Sequence, residues 1–123
     1  MALIVRAFPV LPGKEEELRR FAAELAGAER EEAEAFYAGF AVVHESWHLQ
    51  KTPQAWWAIC VTEVAKEPAA MARAYAGSQR PFDRWFKERI RELTGVDPDR
   101  EPFGPPTETI FNWDGDPATS IAS

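Results

Sequence analysis

Residues 55–61 read A-W-W-A-I-C-V, with no charged side chain among them. In an extended strand successive side chains point to opposite faces. Trp56, Ala58 and Cys60 therefore share one side, and Trp57, Ile59 and Val61 the other. Both sides are apolar. A strand in an antiparallel sheet with helices on one face only should alternate apolar and polar, so this one needs a cover on each face. The preceding stretch supplies its neighbour. Val43, Trp47 and Leu49 alternate with His44, Ser46, His48 and Gln50, and Glu45 is out of step. Q-K-T-P-Q then provides the turn, and the two runs read as a β-hairpin over residues 42–64.

The rest of the chain supplies helices and two further strands. A-L-I-V-R-A-F-P-V is a short β-branched run that Pro9 brings to a close. After the Pro12-Gly13 break, Glu15, Glu16 and Glu17 fill a first helical turn, where the macrodipole favours acids. Leu18, Phe21, Ala22 and Leu25 recur at helical spacing and form a buried stripe. A second helix-prone stretch ends in Phe36, Tyr37 and Phe40. Beyond Pro68 a short helix is predicted to about Ala76. S-Q-R-P-F-D-R-W-F-K-E-R-I-R-E-L-T-G-V-D is the clearest helix. Pro81 suits its first position, Phe82, Phe86, Ile90 and Leu93 its buried stripe, and Gly95 its end. T-E-T-I-F-N-W-D reads as a last strand.

The order is β-α-β-β-α-β with additional helical material. That is an α+β, ferredoxin-like arrangement: an antiparallel sheet with helices on one face. A chain of 123 residues forms one domain, placed at residues 1–114, with residues 115–123 as a tail expected to be disordered. The helices cover one face of A-W-W-A-I-C-V, and so short a chain has few elements left for the other. The expected cover is a second copy of the same sheet across a two-fold axis.

The layout V-R-A-F-P-V-L-P-G-K-E-E-E-L-R-R-F, then the Trp-rich hairpin, the long helix from Ser78 to Asp97 and a closing strand resembles the dimeric α/β-barrel superfamily. The resemblance spans roughly residues 2–114. It implies two ferredoxin-like subunits that join their sheets into one barrel with the helices outside. The superfamily includes antibiotic-biosynthesis monooxygenase-like proteins, stress-response barrel proteins and many uncharacterised small bacterial proteins. For this chain it implies a small-molecule-binding protein or a cofactor-independent monooxygenase-like enzyme, with a cavity between sheet and helices. Haem-degrading members use an Asn, His and Trp set that has no counterpart here. The first strand carries Arg6 and no Asn, and the last long helix carries no His. No catalytic residue of the family is carried over, and none is assigned.

H-E-S-W-H, His44–His48, matches the H-E-x-x-H pattern of zinc metallopeptidases. That chemistry needs a helix, where residues i and i+4 lie one turn apart. On a strand the same spacing separates them by roughly 13 Å, too far for one zinc. No metal is therefore expected, and a zinc hydrolase stays a remote alternative. His44 and His48 share a strand face and are candidate pocket residues, as are Trp57, Trp85, Arg6 and Trp113. The competing use of the histidines is a half-wet edge strand. Arg6 lies among apolar neighbours and needs a partner, for which Glu63 on the hairpin's return strand is the expected choice. S-Q-R-P-F-D-R-W offers either an anion site or a capped helix start, with Asp83 serving the dipole. Cys60 has no activating neighbour in sequence and reads as an inert buried thiol.

The net charge is −6 and no basic patch with interleaved aromatics appears, so nucleic acid is not an expected partner. The opening apolar run is too short for a signal-peptide core or a membrane span. One cysteine precludes an internal disulfide, and a cytoplasmic location is expected. Two functional readings follow: a dimer that binds a small apolar or aromatic molecule, as a binding protein or a cofactor-independent enzyme, and a non-catalytic dimeric module that binds a metabolite or protein. An enzyme needs a solvent-connected cavity with polar groups, whereas a module's cavity can be plugged by Phe and Trp.

Overall fold

The computed structural model describes residues 2–115. Three strands and four helices follow one another as β1 (Ala2–Pro9), α1 (Glu15–Ala26), α2 (Arg30–Gly39), β2 (Val42–Lys51), β3 (Trp56–Val64), α3 (Pro68–Gly77) and α4 (Pro81–Thr94). The strands form an antiparallel sheet in the order β1-β3-β2, which puts the Trp-rich strand in the centre. The β2–β3 turn is closed locally. Thr52 donates its hydroxyl to the Ala55 carbonyl at 2.9 Å and accepts the Ala55 N–H at 3.1 Å.

Helices lie against one face of this α+β sheet. The inner face presents Ile4 and Phe8 from β1 and Ala58, Thr62 and Val64 from β3, all buried. Against them pack Leu18, Phe21 and Leu25 of α1, Phe36 of α2, Tyr75 of α3, and Phe86 and Leu93 of α4. Phe86 is the hub of this layer. Its ring centre lies 4.5 Å from that of Phe36, 5.5 Å from Phe21 and 6.1 Å from Trp47. The helix ends follow local chemistry. Glu15–Glu17 occupy the first turn of α1, Pro81 opens α4, and Gly95 closes it at φ 78°, a conformation that glycine adopts without steric cost.

A buried cation ties α3 to α4. Lys87 Nζ donates to the carbonyls of Ser78 at 2.9 Å and Ala76 at 3.1 Å, and to Asp99 Oδ1 at 2.8 Å. Those carbonyls belong to the negative end of the α3 dipole, where a cation is favoured. Asp83 is buried at the start of α4 and accepts the Ser78 hydroxyl. The S-Q-R-P-F-D-R-W stretch is thus a tied helix entrance in which the acid turns inward.

Two expectations need correction. Residues 107–114 form no strand. The segment touches the edge of β1 through one isolated bridge, Arg6–Pro106, and through the Thr107 hydroxyl, which donates to the Val5 carbonyl at 2.5 Å. Pro105 and Pro106 have no N–H to start a ladder, and the Thr107 side chain supplies the bond that a backbone donor would have made. Ile110, Phe111 and Trp113 are left 89%, 81% and 75% exposed. Arg6 also does not pair with Glu63. It stands opposite Cys60, whereas Glu63 stands opposite Leu3. Positions 60 and 63 have opposite parity, so the two side chains lie on different faces. The tail placed at residues 115–123 lies outside the described residues except for Gly115.

Among the described residues no helix lies over the outer face. Its apolar side chains are Leu3, Val5 and Ala7 of β1 and Trp57, Ile59 and Val61 of β3, with Leu3 55% exposed. Among the described residues no helix is long and apolar enough to cross a membrane.

Candidate functional site

A β-bulge at Val42–His44 decides what the inner face of β2 offers. Val42 stands opposite Val64 and His44 opposite Glu63, so Val43 is the extra residue. A bulge re-aims the side chains around it. Val43 turns out to solvent at 53% exposure, and Val42 lines the interior together with Glu45 and Trp47. The residue that broke the sequence alternation therefore sits on the helix side of the sheet.

There it forms part of a cavity of about 90 Å³ between the sheet, α2, α3 and α4, partly open to solvent. Most of the wall is apolar: Phe8, Phe36, Phe40, Phe86, Phe103 and Val96. The polar exceptions are few. They are Glu45 and Thr62, paired across β2 and β3, Arg6 and Cys60, paired across β1 and β3, and Tyr37 and Tyr75 from the helices. This is the composition of a ligand pocket, a largely apolar concavity with a small number of placed polar groups.

Glu45 is held at both oxygens. Oε1 accepts the Thr62 hydroxyl at 2.5 Å, across the strand pair Glu45–Thr62, and Oε2 accepts Trp47 Nε1–H at 2.8 Å. Burial pushes its carboxyl above the ordinary glutamate range. The hydrogen bonds from Thr62 and Trp47, and the charge of His44, act in the opposite direction and do not cancel it. Burial thus shifts this carboxyl in the direction that general acid or base chemistry uses.

The neighbouring groups are less reactive. Burial first, and Glu45 second, push the Cys60 thiol up to about 12, so it stays protonated and is a poor nucleophile. Tyr37 and Tyr75 are pushed above the ordinary phenol range, again by burial first and then by Glu45. Both remain neutral and able to donate.

The residues picked out from sequence are dispersed. Arg6 lines the central cavity. His44 and His48 lie on β2, with alternation opposite to Glu45 and Trp47, and both are exposed. His48 Nε2 is 3.1 Å from Ser46 Oγ. The two histidines border different depressions, His44 a groove along the β2 edge and His48 a smaller one beside Leu49 and Ile90. Trp57 faces outward from β3. Trp85 packs edge-on against Phe21 at 5.4 Å and borders a shallow cleft with Arg80 and Phe82. Among the described residues no three His, Cys, Asp or Glu side chains converge as a metal site would require.

No protein-family model, curated protein or solved structure matches this chain. The geometry of the site therefore carries the functional reading. Sequence reasoning passed over Glu45, Thr62, Tyr37 and Tyr75 as site residues. Only Glu45 left a signal, as the charged residue on the apolar side of an alternating strand. Thr62, Tyr37 and Tyr75 look in sequence like ordinary strand and helix residues.

Proposed function

We propose that this chain binds a small, largely apolar or aromatic molecule in the cavity above the inner face of its sheet. The observation that carries the reading is the Glu45 carboxylate, anchored by Thr62 and Trp47 in an otherwise apolar wall. A structural core gains nothing from an ionisable group there, because burying a carboxylate without a counter-charge costs stability. The cavity's opening to solvent and its polar groups favour this reading over a plugged interaction module. Glu45 also gives the site a group competent for proton transfer, which is what a cofactor-independent enzyme of the monooxygenase-like kind would need.

The same proposal includes a homodimer through the outer face of the sheet, as in the dimeric α/β barrels that the sequence resembles. Its support is the uncovered apolar set Leu3, Val5, Trp57, Ile59 and Val61. The exposed Ile110, Phe111 and Trp113 add apolar surface for a second copy to bury.

The cavity reading is tested by titrating the protein with phenol, a neutral ring with one donor, and following backbone and side-chain resonances. Saturable shifts concentrated at Glu45, Thr62, Tyr37, Cys60 and Tyr75 are expected. Shifts confined to the exposed Ile110–Trp113 segment or to the outer sheet face would contradict it.

A further inference from the structure

Among the described residues Arg6 is a cation without a counter-charge. Its Nη1 donates to the neighbouring Val5 carbonyl at 2.9 Å, while its Nε is sealed from water and has no hydrogen-bond partner. No carboxylate lies within ion-pair distance of it among the described residues. Burial lowers its pKa, the direction expected of a guanidinium that has lost part of its solvation and gained no anion. Arginine stays charged in such a setting and carries five donors in a planar fork matched to a carboxylate. The arrangement has a deficit of one negative group, and Arg6 lines the same cavity as Glu45.

Glu45 does not fill that deficit. Arg6 stands opposite Cys60 and Glu45 opposite Thr62, on the two strands that flank β3. Two strand spacings sideways and two residues along the strand separate their backbones by ~12 Å. The carboxylate is also already committed to Thr62 and Trp47. The cavity thus has a positive group on β1, a hydrogen-bond acceptor on β2 and aromatic rings in its lining.

We infer that the ligand is a small aromatic acid, bound with its carboxylate on Arg6 and a hydroxyl at its far end donating to Glu45. This inference rests on the cavity being the binding site and adds the chemical class of its occupant. A neutral molecule leaves Arg6 without a counter-charge, and a second cation adds to the repulsion there. An acid lacking the hydroxyl leaves the anchored carboxylate with no partner in the ligand. The cavity is smaller than the roughly 150 Å³ of a sealed apolar void that takes up benzene. It is open on one side, however, so one ring with two substituents need not be enclosed whole.

The test compares two probes of nearly the same shape, the anionic 4-hydroxybenzoate and the neutral 4-hydroxybenzamide, by calorimetric titration at neutral pH. Wild-type protein is expected to bind the acid at least about ten-fold more tightly, the effect of a charge-assisted arginine–carboxylate pair. Arg6→Met should abolish that preference, and an unchanged circular dichroism spectrum with a cooperative thermal transition reports that the variant is folded. If wild-type protein binds both probes equally, the acid assignment is overturned while the cavity reading survives. If the preference persists in Arg6→Met, Arg6 is not the anion's partner and the assignment again falls. If neither probe binds, the cavity reading falls with it.

Discussion

Phe86→Ala is expected to lower the unfolding free energy by about 3–5 kcal/mol, the usual cost of emptying a well-packed aromatic site. Phe86 is 5% exposed, and its ring meets rings from α1, α2 and β2 as well as Tyr75 of α3 at 6.3 Å. No nearby side chain can swing in to fill the space, because the surrounding rings are already in mutual contact. Native domains hold about 5–15 kcal/mol in total, so the variant would lose a large part of its margin. Urea unfolding followed by tryptophan emission measures the change. A loss below about 1 kcal/mol would mean that the ring layer repacks, and that Phe86 is not its hub. The same ring lines the cavity, so Phe86→Leu, which keeps most of the volume, is the milder control.

Ile59→Asp is expected to convert the proposed dimer into a monomer. Ile59 is on the outer face of the central strand, between Trp57 and Val61, opposite Ala7 and His48. A two-fold axis through that face places the substitution in the interface twice, and each copy would bury an unpaired carboxylate. At about 3–5 kcal/mol for an uncompensated buried charge, two such penalties weaken association by at least roughly a thousand-fold. The wild-type chain has a mass of 13.9 kDa. Sedimentation at micromolar concentration should find twice that value for wild type and the single value for the variant. A wild-type monomer would remove the dimer from the account, and with it the likeness to two sheets joined in one barrel. The cavity would be untouched, since its walls lie on the other face of the sheet.

Much of the fold was legible because it follows from periodicity. The stripe Leu18–Phe21–Leu25 and the Pro81-to-Gly95 frame each specify a helix through chemistry confined to a few neighbouring residues. The hairpin was equally plain from its rhythm of two and its Thr-Pro turn. H-E-S-W-H illustrates the same rule: its letters suggest a metal site, but its strand period separates the two histidines. What escaped was non-local. Val43 and Val42 exchange roles because of a bulge, which no run of residues announces. Arg6 missed its expected partner by the parity of one strand position, a register that only the paired strands define. The Thr107–Asp114 run has the composition of a strand, yet the two preceding prolines deprive it of the donors with which to begin one. Glu45 was visible as an irregularity but not as a site, because its meaning depends on Thr62 and Trp47 meeting it from across the sheet and along its own strand.

Glu45 is an anchored, desolvated carboxylate facing the cavity, and the ionisation of that one group tests the proposed binding site most directly. A glutamate whose folded pKa lies above its unfolded value binds protons more tightly in the native state. Its stabilising contribution is complete below the unfolded value and is lost as pH rises through the folded one. Glu45→Gln should remove that slope. The decisive measurement is the side-chain carboxyl carbon of Glu45 followed by NMR through a pH titration of the folded protein, with and without 4-hydroxybenzoate. The expected result is a midpoint clearly above the ordinary glutamate value of about 4.3, displaced when the acid binds. A midpoint at or below that value, unmoved by ligand, would contradict the account.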